Sequence, residues 1–152
     1  MSPIHIEDLA FLAKEELLSI HPDYNVEIDY ENIPANENET VIEGNEELLK
    51  RVFSNLLDNA CKYSADHKAQ IIIASDARSC VVKVRDQGIG IHADDLPHIF
   101  NPFFRSSNAT AIPGFGIGLS ICQRIVELHH GVLSATSEVG QGSEFKVRLD
   151  HV

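Results

Sequence analysis

Asn55, Asn59 and Lys62 stand at i, i+4 and i+7 within the stretch NEELLKRVFSNLLDNACKYS, residues 45–64. At about 100° per residue on a helix, the three fall within roughly 60° of one another. Carboxamide oxygens can ligate a hard cation, and an ammonium can meet a phosphate. The bland alternative is a solvated face with two ordinary asparagines. Asn is a poor helix former, so two placed this way need a reason. Further on, Asp86-Gln87-Gly88-Ile89-Gly90-Ile91 follows an apolar run. A carboxylate at a strand end can accept a hydrogen bond from an exocyclic amine, and glycines beyond it let backbone approach a ligand closely. Gly114-Phe115-Gly116-Ile117-Gly118-Leu119 then runs into a second helical pattern. Backbone N–H groups at a helix start, freed by glycine, can cradle phosphate. Hairpin turns are the plainer reading of each glycine run. A dinucleotide fingerprint fails, because neither run has the GxGxxG spacing in a compact strand-turn-helix unit and no Walker lysine motif is present.

The elements that must position these residues follow from periodicity. Leu48, Leu49, Val52, Phe53, Leu56, Leu57, Ala60 and Cys61 recur at helical spacing, so residues 45–64 form a core-facing helix with Asn55, Asn59 and Lys62 beside its apolar stripe. Before it, residues 4–20 suit a first helix with Ile6, Leu9, Phe11, Leu12, Leu17 and Leu18 as its apolar set, and Pro22 follows its end. Residues 26–30 (VEIDY) alternate like a strand, and a short strand is expected at Val41 and Ile42 after a polar turn. Residues 65–69 read as a polar link into a strand at 70–75, with Arg78 and Ser79 in a turn and a hairpin partner at 80–85. A short helix over 93–100 is expected next. Residues 105–113 (RSSNATAIP) lose the apolar pattern and read as a mobile loop. A strong helix over 119–129 buries Ile121, Ile125, Val126 and Leu128. Strands at 132–136 and 144–149 around a GQG turn close the chain. The whole reads as an α/β two-layer sandwich, a mixed sheet with helices on one face.

Residues 1–152 suit a single domain with one core. Hydrophobic content of 43% and charged content of 23% exclude a disordered chain. A formal net charge of −11 argues against nucleic acid or an anionic membrane as main partner, so a bound polyanion needs local cations and a metal. No run approaches membrane-spanning length, and no signal peptide opens the chain. Cys61, Cys80 and Cys122 lie on apolar segments without zinc-ligand spacing and read as buried free thiols in a reducing compartment.

The order NLLDNACKYS, DQGIGI, FNPFFR, GFGIGL and a closing GxGSxF resembles the catalytic ATP-binding domain of sensor histidine kinases. The match is to that family's N, G1, F and G2 boxes within the GHKL (Bergerat-fold) ATPase superfamily, and it runs from about Ile4 to Leu149. The resemblance implies ATP and Mg²⁺ as ligands. It implies that Asn59 ligates Mg²⁺ with Asn55 supporting or sharing that duty, that Lys62 meets phosphate and that Tyr63 packs at the nucleotide. Asp86 would accept the adenine amino group while Gly88 and Gly90 make room. Phe100 and Phe103 would anchor a lid, Arg105 would reach phosphate, and Gly114, Gly116, Gly118 and Leu119 would form its far hinge and phosphate contact. Gln87 stands where the family often has Asn, and Ile117 where it often has Leu.

Gyrase, chaperone and mismatch-repair members of the superfamily carry a Glu where Asn55 sits, to activate water, and an amide cannot act as that base. The resemblance therefore favours phosphoryl transfer to a histidine over hydrolysis. It implies a separate dimerisation and histidine-phosphotransfer domain and a response-regulator receiver domain as partners. The chain would be a monomeric cytoplasmic piece of an inner-membrane-anchored sensor. A serine/threonine kinase, a hydrolytic ATPase and a non-catalytic nucleotide sensor on the same fold remain open alternatives. The eight histidines, including His92, His98, His129 and His130, lack the acceptor-helix context and read as structural or surface residues.

Overall fold

The computed structural model describes residues 2–31, 41–75, 78–102 and 118–150. Among the described residues the elements in chain order are β1 (Ser2–His5), α1 (Ile6–Ile20), β2 (Asn25–Glu31), β3 (Val41–Gly44), α2 (Glu46–Lys62), β4 (Lys68–Ser75), β5 (Ser79–Asp86), α3 (Gly118–Leu128), β6 (Val132–Glu138) and β7 (Gly142–Asp150), with a 3₁₀ turn at Leu96–His98. β2, β4, β5, β7 and β6 form a five-stranded sheet in that spatial order. Only β2–β4 is parallel; the β4–β5, β5–β7 and β7–β6 pairs are antiparallel. β1 and β3 make a separate two-stranded sheet.

Alternation explains the two layers. Val82 pairs with Ile73 and Val147, and Val84 with Ile71 and Phe145; all are buried on one face against the helices. The opposite face carries polar pairs such as Lys68–Glu27, Lys83–Glu31 and Arg85–Glu144. Exposed pairs of this kind are worth at most about 1 kcal/mol each, so the apolar face sets the register.

α2 is the core's axis. Leu49, Val52, Phe53, Leu56, Leu57, Ala60 and Cys61 are all buried along it. Asn45 caps it, its side chain accepting from the Leu48 N–H at 3.0 Å, and Glu46, Glu47 and Lys62 suit the helix dipole at their respective ends. α1 packs on α2 through Ile6, Leu9, Ala10, Ala13 and Leu17.

The structure corrects several expectations. Ser2–His5 is a strand, so the first helix begins at Ile6 rather than at residue 4; Ile4 pairs with Ile42. Phe11 and Leu12 are 52% and 43% exposed, because Ala10 and Ala13 complete the stripe that meets α2. Lys68 and Ala69 belong to β4, and Ser79 to β5, where link and turn were expected. The expected helix over 93–100 shrinks to the Leu96–His98 turn, since Pro97 has no N–H to donate. On α3, Cys122, Ile125 and Val126 face inward, as does His129 just past its end, leaving Ile121 and Leu128 exposed.

Candidate functional site

Of the expected site residues, Asn55, Asn59, Lys62, Tyr63, Asp86, Gly88 and Gly90 lie where the C-terminal half of α2 meets the loop after β5. The Ile89 N–H donates to the Tyr63 carbonyl at 3.2 Å, tying that loop to the C-cap of α2. Gly88 must be glycine: a Cβ there would lie 2.4 Å from the Tyr63 carbonyl oxygen. Gly90 has φ +74 and a Cβ position 2.2 Å from the Glu138 carbonyl oxygen, so the same loop is pressed onto the β6–β7 turn. Gly140 N–H seals that contact by donating to the Ile89 carbonyl at 2.9 Å.

Asp86 ends β5 with a partly buried carboxylate. It accepts from the Gly88 N–H at 2.8 Å and from the Ser143 backbone N–H. Burial pushes its pKa above the ordinary carboxylate value, opposed by those two N–H donors. Asn59 and Lys62 are partly exposed on α2. Among the described residues the Asn59 carboxamide has no hydrogen-bond partner, and Lys62 forms no ion pair, lying 5.8 Å from the centroid of the Tyr63 ring. The Ile89–Tyr63 bond thus brings the loop after the carboxylate to the helix end that bears the carboxamide and the ammonium.

Asn55 is held differently. Its Nδ2 donates to Cys122 Sγ at 3.7 Å, and that thiol donates to the Val52 carbonyl at 3.8 Å. Near the other end of α3, His129 Nδ1 lies 2.8 Å from the Ile125 carbonyl oxygen and Nε2 accepts from the Asn45 N–H at 3.0 Å. That pattern fixes the tautomer with the proton on Nδ1. α3 and α2 are therefore antiparallel and joined near both ends. Gly118 and Leu119 open α3; among the described residues nothing lies within 4 Å of a Cβ at Gly118, and Leu119 packs against the core. Phe100 meets Phe145 edge-on at 6.4 Å. Phe103, Arg105, Gly114 and Gly116, and the expected loop at 105–113, lie outside the described residues.

Sequence reasoning missed Cys122, Ser137, Ser143 and His129 as parts of the site's frame. Only Ser143 carried a signal, as the serine of the closing GxGSxF run. The described residues include no group of three or more His, Cys, Asp or Glu side chains able to hold a metal. No described helix is long and apolar enough to cross a membrane.

Comparison with known proteins agrees with this fold. The family described as histidine kinase-, DNA gyrase B-, and HSP90-like ATPase matches residues 44–152. The sensor histidine kinase RcsC of Escherichia coli strain K12 is 36% identical over 103 residues, 66% of this chain and 11% of RcsC. The adaptive-response sensory kinase SasA of Synechococcus elongatus is 42% identical over 99 residues, 64% of this chain and 26% of SasA. The solved mycobacterial sensor histidine kinase MprB superposes with a TM-score of 0.84 at 24% identity, covering 98% of this chain and 97% of that one. The solved catalytic domain of histidine kinase ThkA gives 0.78 at 23% identity, covering 98% and 96%. At such identities the two structures speak for the fold.

Proposed function

Because the chain belongs to the family of histidine kinase-, DNA gyrase B- and HSP90-like ATPases, we propose that it binds Mg·ATP and passes the γ-phosphoryl group to a histidine on a separate dimerisation helix pair. One observation carries the reading: the Ile89–Tyr63 backbone bond, which joins the Asp86 loop to the end of the helix bearing Asn55, Asn59 and Lys62. The donor set fits its ligand. Asn59, with Asn55 beside it, offers the neutral oxygens a hard cation accepts. A divalent cation held there would supply charge neutralisation at the phosphates. Lys62 meets a phosphate, Tyr63 packs at the nucleotide, and Asp86 accepts the adenine amino hydrogen above Gly88 and Gly90. Phe103 anchors the lid, while Arg105, Gly114, Gly116, Gly118 and Leu119 attend the phosphates.

Asn55 separates transfer from hydrolysis. A carboxamide cannot deprotonate water, whereas transfer to an imidazole needs alignment and charge stabilisation alone. The matched segments make up 11% of RcsC and 26% of SasA. We accordingly read the chain as one domain of a longer, membrane-anchored sensor, lying on the cytoplasmic side. Its partners are that sensor's own phosphotransfer helices and the receiver domain of a response regulator.

Incubation with γ-labelled ATP, with and without an added helical hairpin carrying the acceptor histidine, tests the proposal. The chain alone should neither label itself nor release phosphate appreciably. Adding the hairpin should give an acid-labile, base-stable phosphohistidine, faster when tethered because the tether raises effective concentration. Asn59→Ala should abolish the label and weaken nucleotide binding far more in Mg²⁺ than in EDTA. Brisk phosphate release without the hairpin would favour a hydrolase instead.

A further inference from the structure

Asp86, Ser143 and Ser137 form a polar row across three adjacent strands. Asp86 pairs with Ser143 between β5 and β7, and Ser143 pairs with Ser137 between β7 and β6. Directly opposed residues of antiparallel strands project to the same face, so these three continue the apolar rows Val84–Phe145–Ala135 and Val82–Val147–Leu133. The change from hydrocarbon to oxygen occurs where the loop after β5 folds over the sheet.

The Ser137 hydroxyl has three partners and no spare capacity. It accepts from the Ile91 N–H at 2.8 Å, donates to the Gly142 carbonyl at 2.9 Å, and lies 2.8 Å from Ser143 Oγ. A serine hydroxyl has one proton and two lone pairs. A carbonyl oxygen can only accept, so the Ser137 proton belongs to Gly142. An amide N–H can only donate, so Ile91 takes one lone pair. The remaining lone pair can meet Ser143 only if Ser143 supplies the hydrogen. The direction of the serine–serine bond is thereby settled: Ser143 O–H donates to Ser137. Ser143 Oγ is left with lone pairs alone, beside a carboxylate that also only accepts while ionised.

We propose that Ser137 is a positioning residue that sets base selectivity: by holding the Ser143 proton it makes Asp86 and Ser143 an acceptor-only wall that favours a purine bearing a 6-amino group over one bearing a 6-oxo group. This rests on the nucleotide reading of Asp86 given above. Ser137 itself need touch no nucleotide. Its second duty is mechanical, since the Ile91 bond pins the far end of the loop whose near end is held by Asp86 and Gly88.

ATP and inosine triphosphate form the natural test pair, because their bases differ only at position 6 and in the N1 proton that goes with it. Affinities of both are measured by calorimetry for the wild-type chain, Ser137→Ala, Ser137→Thr and Ser143→Ala. Wild type should prefer ATP by about tenfold or more, the effect of opposing a buried acceptor to an acceptor. In Ser137→Ala the freed Ser143 hydroxyl can turn and donate to a 6-oxo group, so the preference should shrink at least about threefold, and Ser137→Thr should restore it. Ser143→Ala removes the polarised oxygen directly and should also shrink the preference. The ratio of the two affinities does not depend on how much protein is folded. An unchanged ratio in Ser137→Ala and Ser143→Ala, with both nucleotides weakened equally, overturns the proposal and leaves ATP binding intact. A wild-type chain that binds neither nucleotide overturns the nucleotide reading itself, and this inference with it.

Discussion

Asp86 has opposite preferences in folding and in binding. Burial raises its pKa above the ordinary 3.8, despite the N–H donors from Gly88 and Ser143. A carboxyl whose folded pKa is raised contributes most to stability below its unfolded pKa. That contribution is lost as pH rises through the folded value. Ligand binding runs the other way, because an adenine amino group needs the ionised acceptor. ATP affinity should therefore be flat near neutral pH and fall as pH drops into the raised carboxylate range, while the free fold gains from the same protonation. Calorimetric titrations across that range measure it. Asp86→Asn should bind weakly and without this pH dependence; the same acid loss in the variant would assign the titration elsewhere. Asn59 and Lys62 were legible as chemistry because residue type and helical spacing suffice to group them, and Asp86 because it stands at a strand end directly before two glycines. The roles of Ser137 and Cys122 were not legible, because each depends on a partner set by strand register or helix packing: Ser143 for one, Asn55 for the other.

Among the elements, the end of α3 stores a small strain that can be removed. His130 has φ +58, in the left-handed region, with its N–H bonded to the Glu127 carbonyl and the next N–H, of Gly131, to the Val126 carbonyl. This is a Schellman-type stop with histidine where glycine is usual. The glycine next door serves another need, since a Cβ on Gly131 would lie 2.5 Å from the Arg148 carbonyl oxygen. A left-handed residue with a side chain costs roughly 1–2 kcal/mol, part of which glycine returns through its freer unfolded chain. His130→Gly should thus raise stability by about 0.5–1 kcal/mol in urea unfolding, and Gly131→Ala should lower it. An His130→Gly variant less stable than wild type would show that the His130 side chain makes up for its backbone. The sequence marked this stop at the right place. It failed at β1, where Ile4 and Ile6 fit a strand or a helix start equally well, and at Phe11, Leu12, Ile121 and Leu128. There, smaller residues such as Ala10, Ala13 and Cys122 complete the buried stripe.

Across the whole molecule, the layer arrangement followed from alternation and periodicity. The strand order, and the parallel pairing of β2 with β4, did not, since no local pattern encodes which strands meet. The three thiols sample this assembly on α2, β5 and α3. Burial pushes Cys61 and Cys80 up to about 12 and Cys122 up to about 11, from an ordinary 9.0. Their contribution to stability is complete below the unfolded value and is lost as pH rises from there through the folded values. A thiol-specific alkylating reagent should leave the native chain essentially unlabelled in mildly alkaline buffer. All three should react together, at the rate of global opening. One cysteine reacting rapidly and alone would mean that its part of the core opens independently.

The two ties between α2 and α3 have a further consequence. Asn45 and Asn55 lie about 15 Å apart along α2, and Cys122 and His129 about 10 Å apart along α3, at 1.5 Å per residue. A rod fastened at one point can swing; fastened at two, it can only slide or roll. A push along the axis of α3 from whatever grips its first turn therefore reaches the carboxamide of Asn55 and the cap of α2 in the same stroke.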